Sequence, residues 1–422
     1  MAFLPTPPLA LRPVSSFTRT RTRTLSPRRP NRRPLLTPPR ATAAATPSST
    51  TVTPAPLESQ AELAPEVSPP FRGRTGILLV NIGTPASLSV SDVREYLRQF
   101  LGDPRVVDLN PFLKWFVLNL FILPKRPAES AEAYASIWDD ERGSPLLFHS
   151  QDFAEKLAAR LGEKYDVAIG MQYCEPNVYT VMEDFRARGV DRVIVVPMYP
   201  QYASSSTGAA IEIVYKAAAK VYSTPYLHTV PAFFDHPAYV NSYASIIRDV
   251  IGVGCKKYDH LLMSFHGVPQ QHCELTDETG LLCQKQENCC SSIVQANRNC
   301  YRAQSFASAR RIAAACEIPD GKYSIAFQSR LSAAGPVWIQ PYTDFELVKL
   351  AKAGVKRLAV VVPSFTADCL ETLEEIGIRG KEDFIEAGGE SLDLIPCLNS
   401  SDVWTEGMLQ ILKDSCPMET FD

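Results

Sequence analysis

Residues 76–85, GILLVNIGTP, and residues 260–269, HLLMSFHGVP, follow one pattern: an apolar run that ends on Gly-x-Pro. A second pair echoes further along each half. VDRVIVVPMYPQYASSSTG (190–208) and VKRLAVVVPSFTADCLET (355–372) each carry an apolar run ending in Pro. Runs of this kind, bounded by Gly and Pro, read as buried strands emptying into tight turns. YDVAIGMQY and YSIAFQS add two more, and segments of helical character, such as 150–161 and 177–188, lie between the runs. Strands alternating with helices predict an α/β fold with parallel sheets. The echo predicts two related βα domains, 74–250 and 255–422. Ligands of open α/β sheets bind beyond the carboxyl ends of the strands, so two such domains facing one another make an interdomain cleft.

Composition narrows the partners. The chain has 422 residues, 45% hydrophobic and 21% charged, enough to bury a large core. Its net charge of −3 hides an asymmetry: residues 1–57 hold nine Arg, no Lys and no acid, which leaves about −12 for the remainder. An acidic body argues against nucleic acid, whose phosphates need a basic footprint. The Arg-, Ser-, Thr- and Pro-rich start, free of acids up to Glu58, is expected to be an organelle transit peptide with a disordered linker over 1–73. Its hydroxyl content favours the plastid, stroma or membrane periphery, with the mitochondrion as the alternative. No window reaches the roughly 20 uninterrupted apolar residues of a membrane span. The nearest, FLKWFVLNLFIL (112–123), is short and broken by Lys114 and Asn119.

The echo informs most where it fails. His266 takes the position of Ile82, so the first half packs that strand end without an imidazole. Asp368 and Glu371 take the positions of Tyr202 and Ser205. Ionisable groups thus gather at strand ends of one half only, which favours chemistry over packing. Asp368, Glu371 and Glu375, at i, i+3 and i+7, are expected on one face of a helix opening near Thr366 or Asp368. An imidazole and a carboxylate across a cleft can hold a divalent metal transiently or accept protons from a ligand. Two ligands are too few for a structural metal site, where four are usual.

SFHGVP, QSR…W…PYTD (328–344), PSFTADCLETLEEI, VNIGTP, GSPL (143–146) and YPQYASSSTG together resemble the ferrochelatase family, over nearly everything from Gly76 onward. The resemblance implies a lyase that inserts Fe2+ into protoporphyrin IX with release of two protons, the last step of haem synthesis. It implies two similar Rossmann-like domains whose parallel sheets face an interdomain cleft, as in class II chelatases. Carried over to this chain, His266 and Glu371 are the metal-site pair and proton acceptors, and Asp368 and Glu375 a path for metal or protons. Tyr173, Ile82 and Trp338 match positions facing the macrocycle, and Ser205 lies in a Ser/Thr run whose N–H groups suit a propionate. Residues 112–123 match an apolar lip suited to peripheral membrane contact. The implied partners are protoporphyrin IX and ferrous iron, the iron as substrate with no cofactor required for the chemistry; a homodimer is compatible with this. The alternatives are iron with coproporphyrin III, cobalt with a sirohydrochlorin-type ring, or a non-catalytic tetrapyrrole carrier.

Five of the eleven cysteines lie between 273 and 300. A disulfide framework does not suit an enzyme of a reducing compartment, and the paired C-x₂₋₄-C spacing of zinc sites is absent. The segment is similar to the internal cysteine stretch of some bacterial ferrochelatases that holds a 2Fe–2S cluster. That likeness implies Cys283, Cys289, Cys290 and Cys300 as ligands, with Cys273 spare; the alternative is a cysteine-rich loop without a cofactor. Departures from the family pattern are Cys369, where many members have His, and Gln172, where animal members have Arg. The C-terminal cysteine cluster of animal members and the C-terminal span of plant ones are not expected here.

Overall fold

The structure, a computed structural model, describes residues 74–330 and 336–416. The expected transit segment, 1–73, lies outside the described residues. Eight strands form two sheets. β1 (Arg74–Gly83), β2 (Tyr165–Tyr173), β3 (Val190–Pro197) and β4 (Tyr226–Thr229) make the first, in the order β2-β1-β3-β4. β5 (His260–His266), β6 (Tyr323–Gln328), β7 (Arg357–Val361) and β8 (Ser391–Leu394) make the second, in the order β6-β5-β7-β8. All neighbours are parallel. The two echoed apolar runs are the central strands β1 and β5, buried on both faces, which is why they read as continuous rather than alternating apolar sequence.

The shared Gly-x-Pro has a steric cause. Gly83, at φ +106, lies where a Cβ would fall 2.0 Å from the Tyr173 carbonyl oxygen of β2. Gly267, just past β5, is placed where a Cβ would fall 2.7 Å from the Gln328 carbonyl oxygen of β6. Each central strand can leave the sheet beside its neighbour only if the next residue lacks a side chain.

The halves are not packed independently. The C-terminal helix Asp402–Ser415 crosses back to lie on helix Pro237–Ile251 and helix Pro145–Leu161. Its Trp404 is fully buried and stacks on Phe153, with ring centroids 5.8 Å apart and planes at 15°. Such a pair contributes about 0.5–1.5 kcal/mol beyond its burial. One core accordingly runs from Ile77 and Leu79 of the first sheet to Met263 and Phe265 of the second. The described residues belong to one compact unit. No helix among them is long and apolar enough to cross a membrane.

Candidate active site

The carboxyl ends of both central strands open into one cleft of about 1520 Å³, counted out through its mouth. Ile82, Val268, Trp338 and Phe365 give it flat apolar walls. Among the described residues its charged lining is Glu371, Glu374 and Glu375, with two histidines, His266 and His272, and no lysine or arginine. A cleft of that sign draws in cations.

His266 closes β5, where its N–H donates to the Ser364 hydroxyl at 3.0 Å. Its Nδ1 lies 2.6 Å from the Gly267 carbonyl oxygen. A carbonyl only accepts, so Nδ1 carries the proton and Nε2 presents a lone pair. The Phe365 ring stands edge-on to the imidazole at 6.1 Å. The His266 ring is therefore held in one tautomer, at the strand end the sequence indicated.

The acidic line is rearranged. Helix Leu370–Leu373 starts only after Cys369, which is extended at φ −150 and ψ −173, and a π-helical stretch follows over Glu375–Gly380. Asp368 therefore precedes the helix and does not share its face. It is 4% exposed and turned away from the cleft: its carboxylate accepts from Asn399 Nδ2 at 2.7 Å, Thr372 Oγ1 at 3.1 Å and the Cys397 N–H at 3.2 Å. Asp368 ties the 366–399 segment together and is not among the residues that line the cleft. Glu375 does line the cleft, but its carboxylate is held by the Ser329 N–H at 2.8 Å and the Ser329 hydroxyl at 2.6 Å. Glu374 forms a two-point ion pair with Arg379, at 2.7 and 3.0 Å.

That leaves Glu371 as the lining carboxylate with no cation and no backbone N–H bound to it among the described residues. Its peptide oxygen is fixed by Gln328 Nε2 at 2.6 Å, which locks the turn against β6. Cys369 beside it has its thiol pushed up by burial and then by the Glu371 charge. Two buried phenols that the sequence did not signal, Tyr96 and Tyr134, also line the cleft. Burial pushes both up, and the Glu371 charge adds to each. They stay protonated, and their hydroxyls hydrogen-bond to one another and to Thr84.

Of the wall residues expected from sequence, Ile82, Trp338 and Ser205 line the cleft. Tyr173 does not. Its hydroxyl donates to Asp103 Oδ2 at 2.9 Å, and its ring packs edge-on to Phe100, 5.6 Å away, which takes the cleft-facing place. A partner seventy residues distant in sequence turns that phenol behind the wall. Ser205 sits in the π-helical turn Ser204–Gly208, braced by Gln172, which accepts from the Tyr199 hydroxyl at 2.6 Å and donates to the Ser206 carbonyl at 3.3 Å. Residues 112–123 form helical turns that expose Phe112 (77%) and Phe121 (62%) while burying Leu118 and Leu123.

His272, on the short helix Gln270–Glu274, was not singled out by sequence. It lines the cleft, and burial lowers its pKa, opposed by the charge of Asp108.

The five cysteines of the 273–300 segment converge. All are buried and free. Cys300 shares hydrogen bonds with Cys273 and Cys290, and with Cys283, and its thiol is pushed up to about 12, first by Cys273. Cys289 and Cys290 sulfurs lie 3.7 Å apart. Arg302 Nη1 is 3.2 Å from the Cys290 sulfur, while Asp277 caps the loop by accepting from the Cys283 and Leu282 N–H groups at 2.9 and 2.8 Å. No three Cys, His, Asp or Glu side chains among the described residues are arranged about a single metal ion.

The family model described as Ferrochelatase matches residues 74–416. A ferrochelatase of Bdellovibrio bacteriovorus is 41% identical over 341 residues, 81% of this chain and 99% of that protein. One of Pseudomonas entomophila is 46% identical over 332 residues, 78% of this chain and 95% of that protein. Among solved structures, SirB from Bacillus subtilis with Fe3+ aligns at a TM-score of 0.46 and 13% identity, covering 83% of this chain and all of that one.

Proposed function

The chain belongs to the ferrochelatase family, and on that premise we propose that it inserts Fe2+ into protoporphyrin IX to form protohaem, releasing two protons. Family membership makes it a chelatase, a ferro-lyase whose metal is a substrate. The observation that carries the residue assignment is the His266 Nδ1 contact with Gly267 O, which leaves Nε2 as an acceptor in the same cleft as Glu371. A porphyrin receives Fe2+ only after its two pyrrole N–H protons leave. His266 Nε2 takes a proton from the ring, and Glu371, unpaired with any cation, attracts Fe2+ and offers a carboxylate oxygen to it or to a departing proton. The apolar walls exclude water, so these charges act in a medium of low dielectric. The purified protein is expected to turn over Fe2+ or Zn2+ with protoporphyrin, followed by the change in porphyrin absorbance. Turnover with coproporphyrin III alone, or cobalt insertion into a sirohydrochlorin-type ring alone, would move the substrate; binding without turnover would make the protein a carrier.

Cys283, Cys289, Cys290 and Cys300 would hold a 2Fe–2S cluster, with Cys273 packed behind Cys300. Bound there, the cluster supplies a cross-link between the 273–300 segment and helix Tyr301–Ala315, which starts at Cys300. Aerobically purified protein is expected to show visible iron–sulfur absorbance with about two irons and two sulfides per chain, and Cys289→Ser to lose both. Colourless, iron-free wild type would leave a plain cysteine-rich loop.

For location, the acid-free start and the exposed apolar lip support import into the plastid, at the stroma or the membrane surface. Import into isolated chloroplasts followed by fractionation checks both; uptake by mitochondria alone would reassign the organelle.

A further inference from the structure

Protoporphyrin IX carries two peripheral carboxylates, yet among the described residues the cleft wall contains three glutamates and neither lysine nor arginine. The cations that flank it are already engaged. Arg105 is ion-paired with Glu212 and donates to Ser204 Oγ at 3.0 Å, and the Lys114 ammonium donates to the Gly102 carbonyl at 3.0 Å. An acid group entering the cleft therefore needs a donor from the wall itself.

One stretch of wall has donors to spare. Residues 337–339 run antiparallel beside 268–270, joined by Gln270 N–H to Val337 O at 2.7 Å and Ile339 N–H to Val268 O at 3.1 Å. On this ribbon and the turn after it lie Trp338 and His272. The Trp338 indole N–H is buried without a partner, and so is His272 Nδ1. A buried N–H left unpaired costs about 1–3 kcal/mol, and a lone pair is the more tolerable orphan. The neutral His272 ring accordingly keeps its proton on Nε2. The two imidazoles of the cleft thus hold opposite tautomers. His266 presents a lone pair, His272 an N–H.

We propose that His272 is a specificity-determining residue, whose Nε2–H receives a peripheral carboxylate of the tetrapyrrole beside Trp338. The assignment rests on the tetrapyrrole reading of the cleft. It gives the protein a way to orient the macrocycle: an acidic edge toward His272, the ring nitrogens toward His266.

The test compares protoporphyrin IX with its dimethyl ester, which keeps the ring and loses both charges. Binding is read by porphyrin fluorescence and Tm by calorimetry, and turnover by Zn2+ insertion. His272→Leu is expected to weaken binding of the diacid, and raise its KM, about tenfold, what one lost charge-assisted hydrogen bond gives. Ester binding should change less than twofold. His272→Gln, which restores an N–H donor, should recover part of the loss. Equal effects on diacid and ester, or none on the diacid, overturn the proposal while leaving the chelatase reading intact. Wild type that neither binds nor metallates either porphyrin overturns both.

Discussion

His266→Ala is expected to lower kcat for metal insertion by about two to four orders of magnitude, the usual contribution of a positioned general base. The reason is geometric. Nδ1 is committed to Gly267 O, so in the proposed mechanism the Nε2 lone pair is the proton acceptor that β5 delivers into the cleft. The side chain is half-buried and touches Phe365 only edge-on, so removing it should cost little stability. Unchanged Tm and near-normal porphyrin affinity would accompany the loss of turnover, and added imidazole should restore part of it. Wild type and His266→Ala turning over equally would remove His266 from the mechanism.

Glu371→Gln is expected to lower kcat/KM for Fe2+ by about a hundredfold or more, since it keeps the shape and removes the charge that meets the metal. The loss should fall on the metal substrate, with the porphyrin KM little altered. Glu374→Gln makes the natural comparison. Its carboxylate is neutralised by Arg379, so its removal should be felt more in stability than in metal handling. Steady-state rates at varied Fe2+ or Zn2+ for the two variants, with Tm alongside, separate the roles. An effect of Glu374→Gln on metal kinetics as large as that of Glu371→Gln would mean that the acid line acts as one unit rather than through Glu371.

Much of the architecture was legible in the sequence because its signals are local. Apolar runs ending in Gly-x-Pro located β1 and β5, and the paired runs ending in Pro located β3 and β7, while the strand order within each sheet came from the structure. β4 and β8 escaped notice: each has four residues and lies at a sheet edge, too short and too exposed for an apolar run. His266 and Glu371 were legible because they break the echo at strand ends. Tyr173 and Asp368 misled because the same reasoning names a position, not a direction. Asp103 and Asn399 turn those side chains away from the cleft.

By itself, then, the sequence determined an α/β chain of two echoing halves, the strand ends where an imidazole and a carboxylate stand, and a cysteine-rich segment between β5 and β6. Each of these follows from residues near one another in the chain. Only the tertiary structure decided which of the acids is free to meet a metal, which tautomer each imidazole holds, and that Tyr96, Tyr134 and His272 belong to the site. Those outcomes depend on hydrogen-bond and charge partners far away in sequence, as with Ser364, which receives the His266 N–H across 98 residues. Periodicity carries no record of such partners, and burial in a shared cleft is what makes their charges and protons matter.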